Sequence, residues 1–387
     1  MSKLSLPGLF LIARMILILS LPLEGLLGYG DLTHFYGWAS LPGWPYLDYW
    51  MEFPPLFPFL AEVLYRMVGG REHAFYSFLV ITFSLVEAGN LVLVQRIAKT
   101  LYPLENAQRR TLIYLAFSLG LFYGWTYFDP LVVFCLLAAA EALLAAKPER
   151  LGLALAAGGL LKWFPLLVLP AALKILPRRG KFLTALIALV IPLTLYSVLL
   201  AASPDFTRAS LASQSSKGSW ESVWALLDGN LTTGNFGAKA ERLQPDSAYL
   251  SRGHPPRISP LVAAVPFAIL GAWLWKRADI DRPAGRLAFV GLTFTIYFLW
   301  SPGWSPQWVL YLLPLILLCL PERLAVLMAF ALVTVNLAEW PLLLSRGWFW
   351  GLWATIPLRT ILLVLLAREF WKALLPEMKN TNDSGLP

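Results

Sequence analysis

Apolar runs succeed one another along nearly the whole chain with only short links between them, a pattern no water-soluble globule can bury. A regular helix needs about 20 residues to cross a hydrocarbon core of about 30 Å, fewer where it is broken inside a bundle. Runs of that kind fall near residues 4–28, 74–96, 111–127, 130–146, 151–161, 164–177, 182–202, 259–275, 286–301, 308–320, 324–344 and 348–368. The expected fold class is therefore an all-α polytopic membrane protein, a bundle of about 12 transmembrane helices. Composition agrees: 58% of the residues are hydrophobic and 14% charged, where soluble domains carry roughly a quarter charged residues. Disordered chains and basic nucleic-acid binders are excluded. The first run is too long for the apolar part of a signal peptide and lacks a small-residue exit, so it is expected to stay as an anchor. Cys135 and Cys319 both lie in apolar runs, which excludes a zinc cluster or a disulfide framework of familiar spacing.

Charge sets the expected orientation, because cytoplasmic links carry excess Lys and Arg. The basic links run from Arg96 to Arg110, Lys147 to Arg150, Lys174 to Lys181, Lys276 to Arg286 and through the tail with Arg368 and Lys372. All five share a side if both termini are inside. Between Arg14 and Arg66 there is no Lys or Arg, but there are Glu24, Asp31, Asp48, Glu52 and Glu62. That segment, 29–73, is expected outside as a first external loop with juxtamembrane helices. Its apolar stretch from Phe53 to Gly69 starts with prolines suited to a first helical turn and reads as a helix along the outer interface. Glu62 and Arg66, four residues apart, would then lie on its wet side. A second external segment spans 203–257, where Trp220, Val223, Trp224 and Leu227 share one face of an expected interfacial helix. No internal repeat is visible. The whole of 1–387 reads as one multi-pass domain.

Charges inside apolar runs are costly and are functional candidates by default. Arg14, Glu87, Glu141, Lys162, Glu339 and Arg359 are of this kind. Internal ion pairing, for example Glu339 with Arg359, is the plainer alternative. Lys162 stands apart, since a lysine at a helix break before Pro165 can point into a cavity. Asp31 follows the first run with no basic neighbour in sequence, which leaves N-capping of a short helix as the structural alternative to a chemical role. Asp129 precedes Pro130 between two closely spaced runs, where capping of the next helix is equally plausible chemistry. Tyr36, Trp38, Trp44, Tyr46 and Trp50 suit sugar stacking or an interfacial aromatic belt. The break from Ser301 to Trp308 offers Trp304 and Gln307 to a cavity.

Taken in order, these elements resemble the GT-C superfamily of glycosyltransferases that use polyprenyl-phosphate sugars, in particular its bacterial mannosyltransferase-like branch. The pieces are the Asp31 loop, Glu52-Phe53-Pro54-Pro55-Leu56, the Asp129 turn, the break at Leu161-Lys162-Trp163-Phe164-Pro165-Leu166, Glu221-Ser222-Val223-Trp224, and Ser305-Pro306-Gln307-Trp308 with Pro314. They spread over residues 30–315. The resemblance implies a GT-C-like bundle with Asp31 as the catalytic residue. His34, Glu52, Asp129, Lys162, Glu221, Trp304 and Gln307 become candidates for binding substrate. Many relatives carry paired acids where this chain has Leu32 and Thr33 after Asp31, so no metal is expected, and no cofactor beyond the donor itself.

The implied reaction transfers a sugar, mannose at the family level, from a polyprenyl-phosphate donor to a hydroxyl of a lipid or glycan acceptor. It would occur on the extracytoplasmic face of a cell membrane, with inversion. The departing phosphate needs positive charge, for which Lys162 is the candidate, and the acceptor hydroxyl needs a base, for which Asp31 is. Glu52, His34 or Glu221 would position sugar hydroxyls or orient Asp31. A secondary transporter or lipid-linked sugar flippase is the alternative, since broken helices and intramembrane charges serve transport too. An outer-face acyltransferase would call for a His-centred site, which His34, His73 and His254 do not form by spacing.

Overall fold

The computed structural model describes residues 5–21, 25, 27–232 and 236–375. Among these the chain is helical with no strands, only isolated bridges. Five helices are long and apolar enough to cross a membrane: Glu72–Leu101, Arg178–Ala202, Pro283–Trp300, Glu322–Arg346 and Phe349–Lys372. That makes the chain an all-α membrane protein. Shorter apolar helices, among them α1 (Leu6–Ser20), fill the rest. Within the expected first run of 4–28, Leu6–Ser20 forms α1, and Leu4, residues 22–24 (with Glu24) and 26 lie outside the described residues.

The elements that position the site follow in order. After α1 come α2 (Leu32–Ala39), α3 (Leu56–Met67), the long α4 (Glu72–Leu101) and α5 (Leu104–Gly120). Next are α6 (Asp129–Leu144) and α7 (Pro148–Leu161), then a 3-10 turn over Phe164–Val168 that continues into α8 (Leu169–Ile175). The expected break at Lys162 is there: Lys162 is extended, and Pro165 and Pro170 restart the chain as helix. Then come α9 (Arg178–Ala202), α10 (Pro204–Ser216), the short α11 (Val223–Asp228), α12 (Pro260–Arg277), α13 (Pro283–Trp300), α14 (Val309–Cys319), α15 (Glu322–Leu337) and α16 (Leu352–Lys372).

Side-chain contacts sort the links between helices into two groups. At one end Arg286 reaches the Leu144 carbonyl at 3.4 Å, Lys174 that of Ala278 at 2.6 Å and Arg282 that of Leu375 at 3.1 Å. Arg109 pairs with Glu322 at 2.7 Å, and Arg96 lies 3.7 Å from Glu141. The basic links therefore gather at this end. At the other end, 29–73 and 203–257 fold together as one cap. Met51 N–H donates to Ser210 at 2.9 Å, Trp50 N–H to the Arg242 carbonyl at 3.0 Å, and Ser203 to the Leu47 carbonyl at 2.9 Å.

Inside the bundle the charges are largely matched. Arg14 on α1 pairs with Glu87 on α4 at 2.6 Å and donates to the Ser118 carbonyl of α5 at 2.7 Å, so one guanidinium ties three helices. Arg359 on α16 pairs with Glu339, just past α15. Two expectations are corrected here. Glu62 is not on a wet face of α3: it is buried, Arg66 reaches it from the surface at 2.6 Å, and Tyr49 donates to its other oxygen at 3.3 Å. Trp220 is not part of an amphipathic helix either. α11 begins at Val223, because Ser222 caps it by accepting from Ala225 N–H and Glu221 takes a positive φ of 47°. Trp220 instead lies across Gly303, where a Cβ would land on the indole.

Candidate functional site

The cap end holds four carboxylates that lie close in space but differ in their partners. Asp129, the first residue of α6, does not cap that helix with its side chain. It is fully buried and accepts from Lys162 on both oxygens, at 2.9 Å each, and from the Tyr311 hydroxyl of α14 on one of them. The ammonium also sits 4.5 Å from the Phe128 ring. Lys162, expected to point into a cavity, is thus neutralised by Asp129. A helix break supplies the lysine and a helix start supplies the acid, and the two close on each other.

Glu52 is likewise committed. Arg242 grips both of its oxygens, one at 2.9 Å, and the same guanidinium lies 4.6 Å from the Trp50 ring. This fork-on-fork pairing joins the first segment to the second.

Asp31 differs from both. It occupies the N-cap position of α2, yet its side chain makes no capping bond. Its backbone N–H donates to the Thr126 carbonyl at 3.1 Å, which fixes the loop against the turn before α6. Among the described residues no hydrogen bond and no ion pair reaches its carboxylate. The residue is half-buried, and loss of hydration pushes its pKa up to about 7, with Asp129 and Glu52 adding to the rise while Lys162 and Lys217 oppose it. Gly30 is what lets the loop sit so close, since a Cβ there would land on Thr126.

Glu221 is the second unpartnered acid. It is 3% exposed, and its Oε2 is buried with no hydrogen-bond donor. Its own carbonyl is held by Arg359. Burial raises its pKa to about 7 against the pull of Arg359 and Lys217. A left-handed backbone at a non-glycine residue costs about 1–3 kcal/mol and persists only where the surroundings impose it.

Lys217, which no motif in the sequence marks, is the complementary cation. Its ammonium lies 3.8 Å from the Trp220 ring and 5.2 Å from that of Phe236. No carboxylate pairs with it among the described residues. Burial lowers its pKa to about 8, while Glu52, Glu221 and Asp31 work in the other direction. Tyr127 stands beside Asp31 and Glu221; burial first, then Asp31, pushes its phenol well above the ordinary value, so it remains a neutral hydroxyl.

The remaining candidates are more peripheral. His34 is exposed on α2, in the neighbourhood of Lys239. Gln307 is buried in the turn before α14. Trp304 is 2% exposed and donates to Asn336 at 2.8 Å, with Arg359 4.8 Å from its ring, so it packs between helices and does not face an opening. Among the described residues no three His, Cys, Asp or Glu side chains form a group fit to hold a metal ion.

The site thus combines two uncommitted carboxylates, one uncommitted ammonium and a neutral phenol, on a rim of aromatic rings. Such a set can take a proton from a hydroxyl, hold an anion and bind several hydroxyls. Neither a protein-family model nor a curated protein matches the chain.

Proposed function

We propose that this protein is a membrane glycosyltransferase that moves a sugar, mannose in the first instance, from a polyprenyl-phosphate donor to a hydroxyl of a lipid or glycan acceptor. The observation that carries the reading is the Asp31 carboxylate. It is half-buried and unpaired among the described residues, and its pKa is raised to about 7. A base is most effective when its pKa lies near the working pH.

In this reaction the acceptor oxygen attacks C1 of the sugar and gives its proton to Asp31. The bond from C1 to the phosphate oxygen breaks, and its electron pair leaves with polyprenyl phosphate. Attack opposite the leaving group inverts the anomeric centre. Polyprenyl phosphate departs as a stable anion, so no acid is required, and one base suffices where a glycosidase uses two carboxyl groups. The counter-charge is assigned to Lys217, because Lys162 is spent on Asp129. An ammonium aimed at developing negative charge in a partly dry site is a large catalytic term.

Orientation follows from the basic links gathered at the opposite end. With that end cytoplasmic, the cap faces the extracytoplasmic side of a cell membrane. The test is purified protein given radiolabelled polyprenyl-phosphate mannose and an extracted lipid and glycan acceptor pool. Covalent transfer by the wild type, reduced about 10²- to 10⁴-fold in Asp31→Asn, is the expected result. Movement of the donor across a vesicle bilayer with no covalent product would make the protein a flippase instead.

A further inference from the structure

Of Asp31, Glu52, Asp129 and Glu221, two are paired and two are not, and one of the unpaired acids has no part in the proton transfer described above. Glu221 is more than nine-tenths buried, and Oε2 has no donor within reach. Oε1 is bonded to none of the described residues either, and it does not share the full burial of Oε2. One edge of the carboxylate is therefore sealed and the other is not, and Tyr127 and Lys217 lie near enough to feel its charge.

Its position is imposed from outside. The φ of 47° turns the chain sharply between Trp220 and Ser222, both of which are tied to the 302–304 turn. Trp220 N–H donates to the Pro302 carbonyl at 3.3 Å, and Ser222 donates to the same carbonyl at 2.6 Å. Arg359, anchored by Glu339, donates to the Glu221 carbonyl from the bundle side. A buried acceptor held so firmly with nothing to accept from is a poor way to stabilise a fold, and a good way to hold ready a contact that a ligand completes.

We propose that Glu221 reads the sugar of the donor: its open carboxylate edge accepts a hydrogen bond from one ring hydroxyl of the hexose, and Arg359 is the positioning residue that holds it there. This rests on the glycosyl-transfer reading of the same site and adds to it a specificity determinant. A hydroxyl is the matching chemistry, because the carboxylate can only accept while it is ionised. A phosphate would be repelled, which leaves the donor's phosphate to Lys217.

The experiment measures kcat and KM for wild type, Glu221→Gln and Glu221→Asp. The donors are polyprenyl-phosphate mannose and its 2-, 3-, 4- and 6-deoxy forms, with the glucosyl and galactosyl donors included. The wild type is expected to lose about 10- to 100-fold in kcat/KM at one deoxy position, the worth of one hydrogen bond to a charged group. Glu221→Gln is expected to be impaired mainly in KM with the intact donor and to lose little more at that position. Glu221→Asp keeps the charge, protecting the fold, and withdraws the oxygen by one methylene; it should flatten the profile at the same position. Arg359→Lys should reproduce the KM effect in part. Deoxy penalties that remain parallel in wild type and both variants would overturn the inference and leave glycosyl transfer intact. A wild type that transfers sugar from none of these donors would overturn both.

Discussion

Lys162 donates to both carboxylate oxygens of Asp129 at 2.9 Å, a pairing between the residue that ends one helix and the residue that begins another. The consequence reaches beyond those two side chains. With Asp129 neutralised by Lys162 and Glu52 by Arg242, Asp31 and Glu221 are left without an ion pair or a hydrogen bond to their carboxylates among the described residues, and Lys217 is a cation that acts on both.

The Asp129–Lys162 pair should behave as a structural unit. Removing one member leaves the other charge buried without compensation, which costs roughly 3–5 kcal/mol, whereas replacing both by apolar groups is close to neutral. Lys162→Met and Asp129→Leu are each expected to lower the melting temperature in detergent clearly, and the double variant to recover much of the loss. Single variants that melt like the wild type would mean the pair is open in solution.

Asp31 predicts a sign that separates it from ordinary surface acids. Its folded pKa of about 7 lies above the ordinary 3.8, so between those values the folded state binds more protons than the unfolded one. The stability it contributes is complete below about 3.8 and is lost as pH rises through about 7. Asp31→Asn should therefore match the wild type in thermal melts at pH 4 and exceed it at pH 8. Its transfer activity should fall at the same time, and the rising limb of the wild-type pH profile near 7 should disappear. A variant less stable than the wild type at pH 8 would show that the carboxylate has a partner after all.

How much of this could be read from the sequence depends on the range of the physics involved. The helices follow local hydropathy, so the positions of the apolar runs, and the break before Pro165, are legible residue by residue. Pairing is not local. Arg242 reaches Glu52 across 190 positions, and nothing in the composition around either residue announces it. The Lys162–Asp129 pairing is not legible because an isolated lysine in an apolar run has no visible partner until Asp129 is folded against it. Glu62 and Arg66 have the spacing of a surface pair, but spacing leaves open which end of the pair points inward. Trp220 has helical spacing to Val223 and Trp224, yet the left-handed turn at Glu221 removes it from the helix. Lys217 carries no signal in the sequence because it lies in a polar stretch and gains meaning only from the rings of Trp220 and Phe236.

Lys217 should act on the donor more than on the fold, having no ion pair to lose among the described residues. Its pKa of about 8 keeps it cationic below that pH. Together with Asp31 this predicts a bell-shaped profile of kcat/KM that rises near 7 and falls near 8, two macroscopic values belonging to the coupled site. Lys217→Met should lower kcat/KM by roughly 10²-fold and abolish the falling limb while thermal melts barely change. Lys217→Arg should shift that limb upward. An unchanged falling limb in Lys217→Met would transfer the role to another cation.

The last prediction concerns the glycine that places the base. The Asp31 loop lies against the turn before Asp129, joined by the bond from Asp31 N–H to the Thr126 carbonyl, and Gly30 makes the contact with no side chain of its own. A Cβ at residue 30 would coincide with the Thr126 side chain, so Gly30→Ala must push the two segments apart. Since Asp31 follows immediately, its carboxylate moves with the loop, and a displacement of about 1 Å away from a productive geometry can cost 10²-fold in rate. Gly30→Ala should therefore lose activity comparably to a direct change at Asp31, with the falling limb set by Lys217 retained. Thr126→Gly removes both the Cβ and the hydroxyl that the added methyl group would meet. The combination with Gly30→Ala should regain a substantial part of the lost rate, measured as initial transfer velocity at saturating donor. If Gly30→Ala alone transfers sugar at the wild-type rate, the close approach of these segments has no part in positioning Asp31.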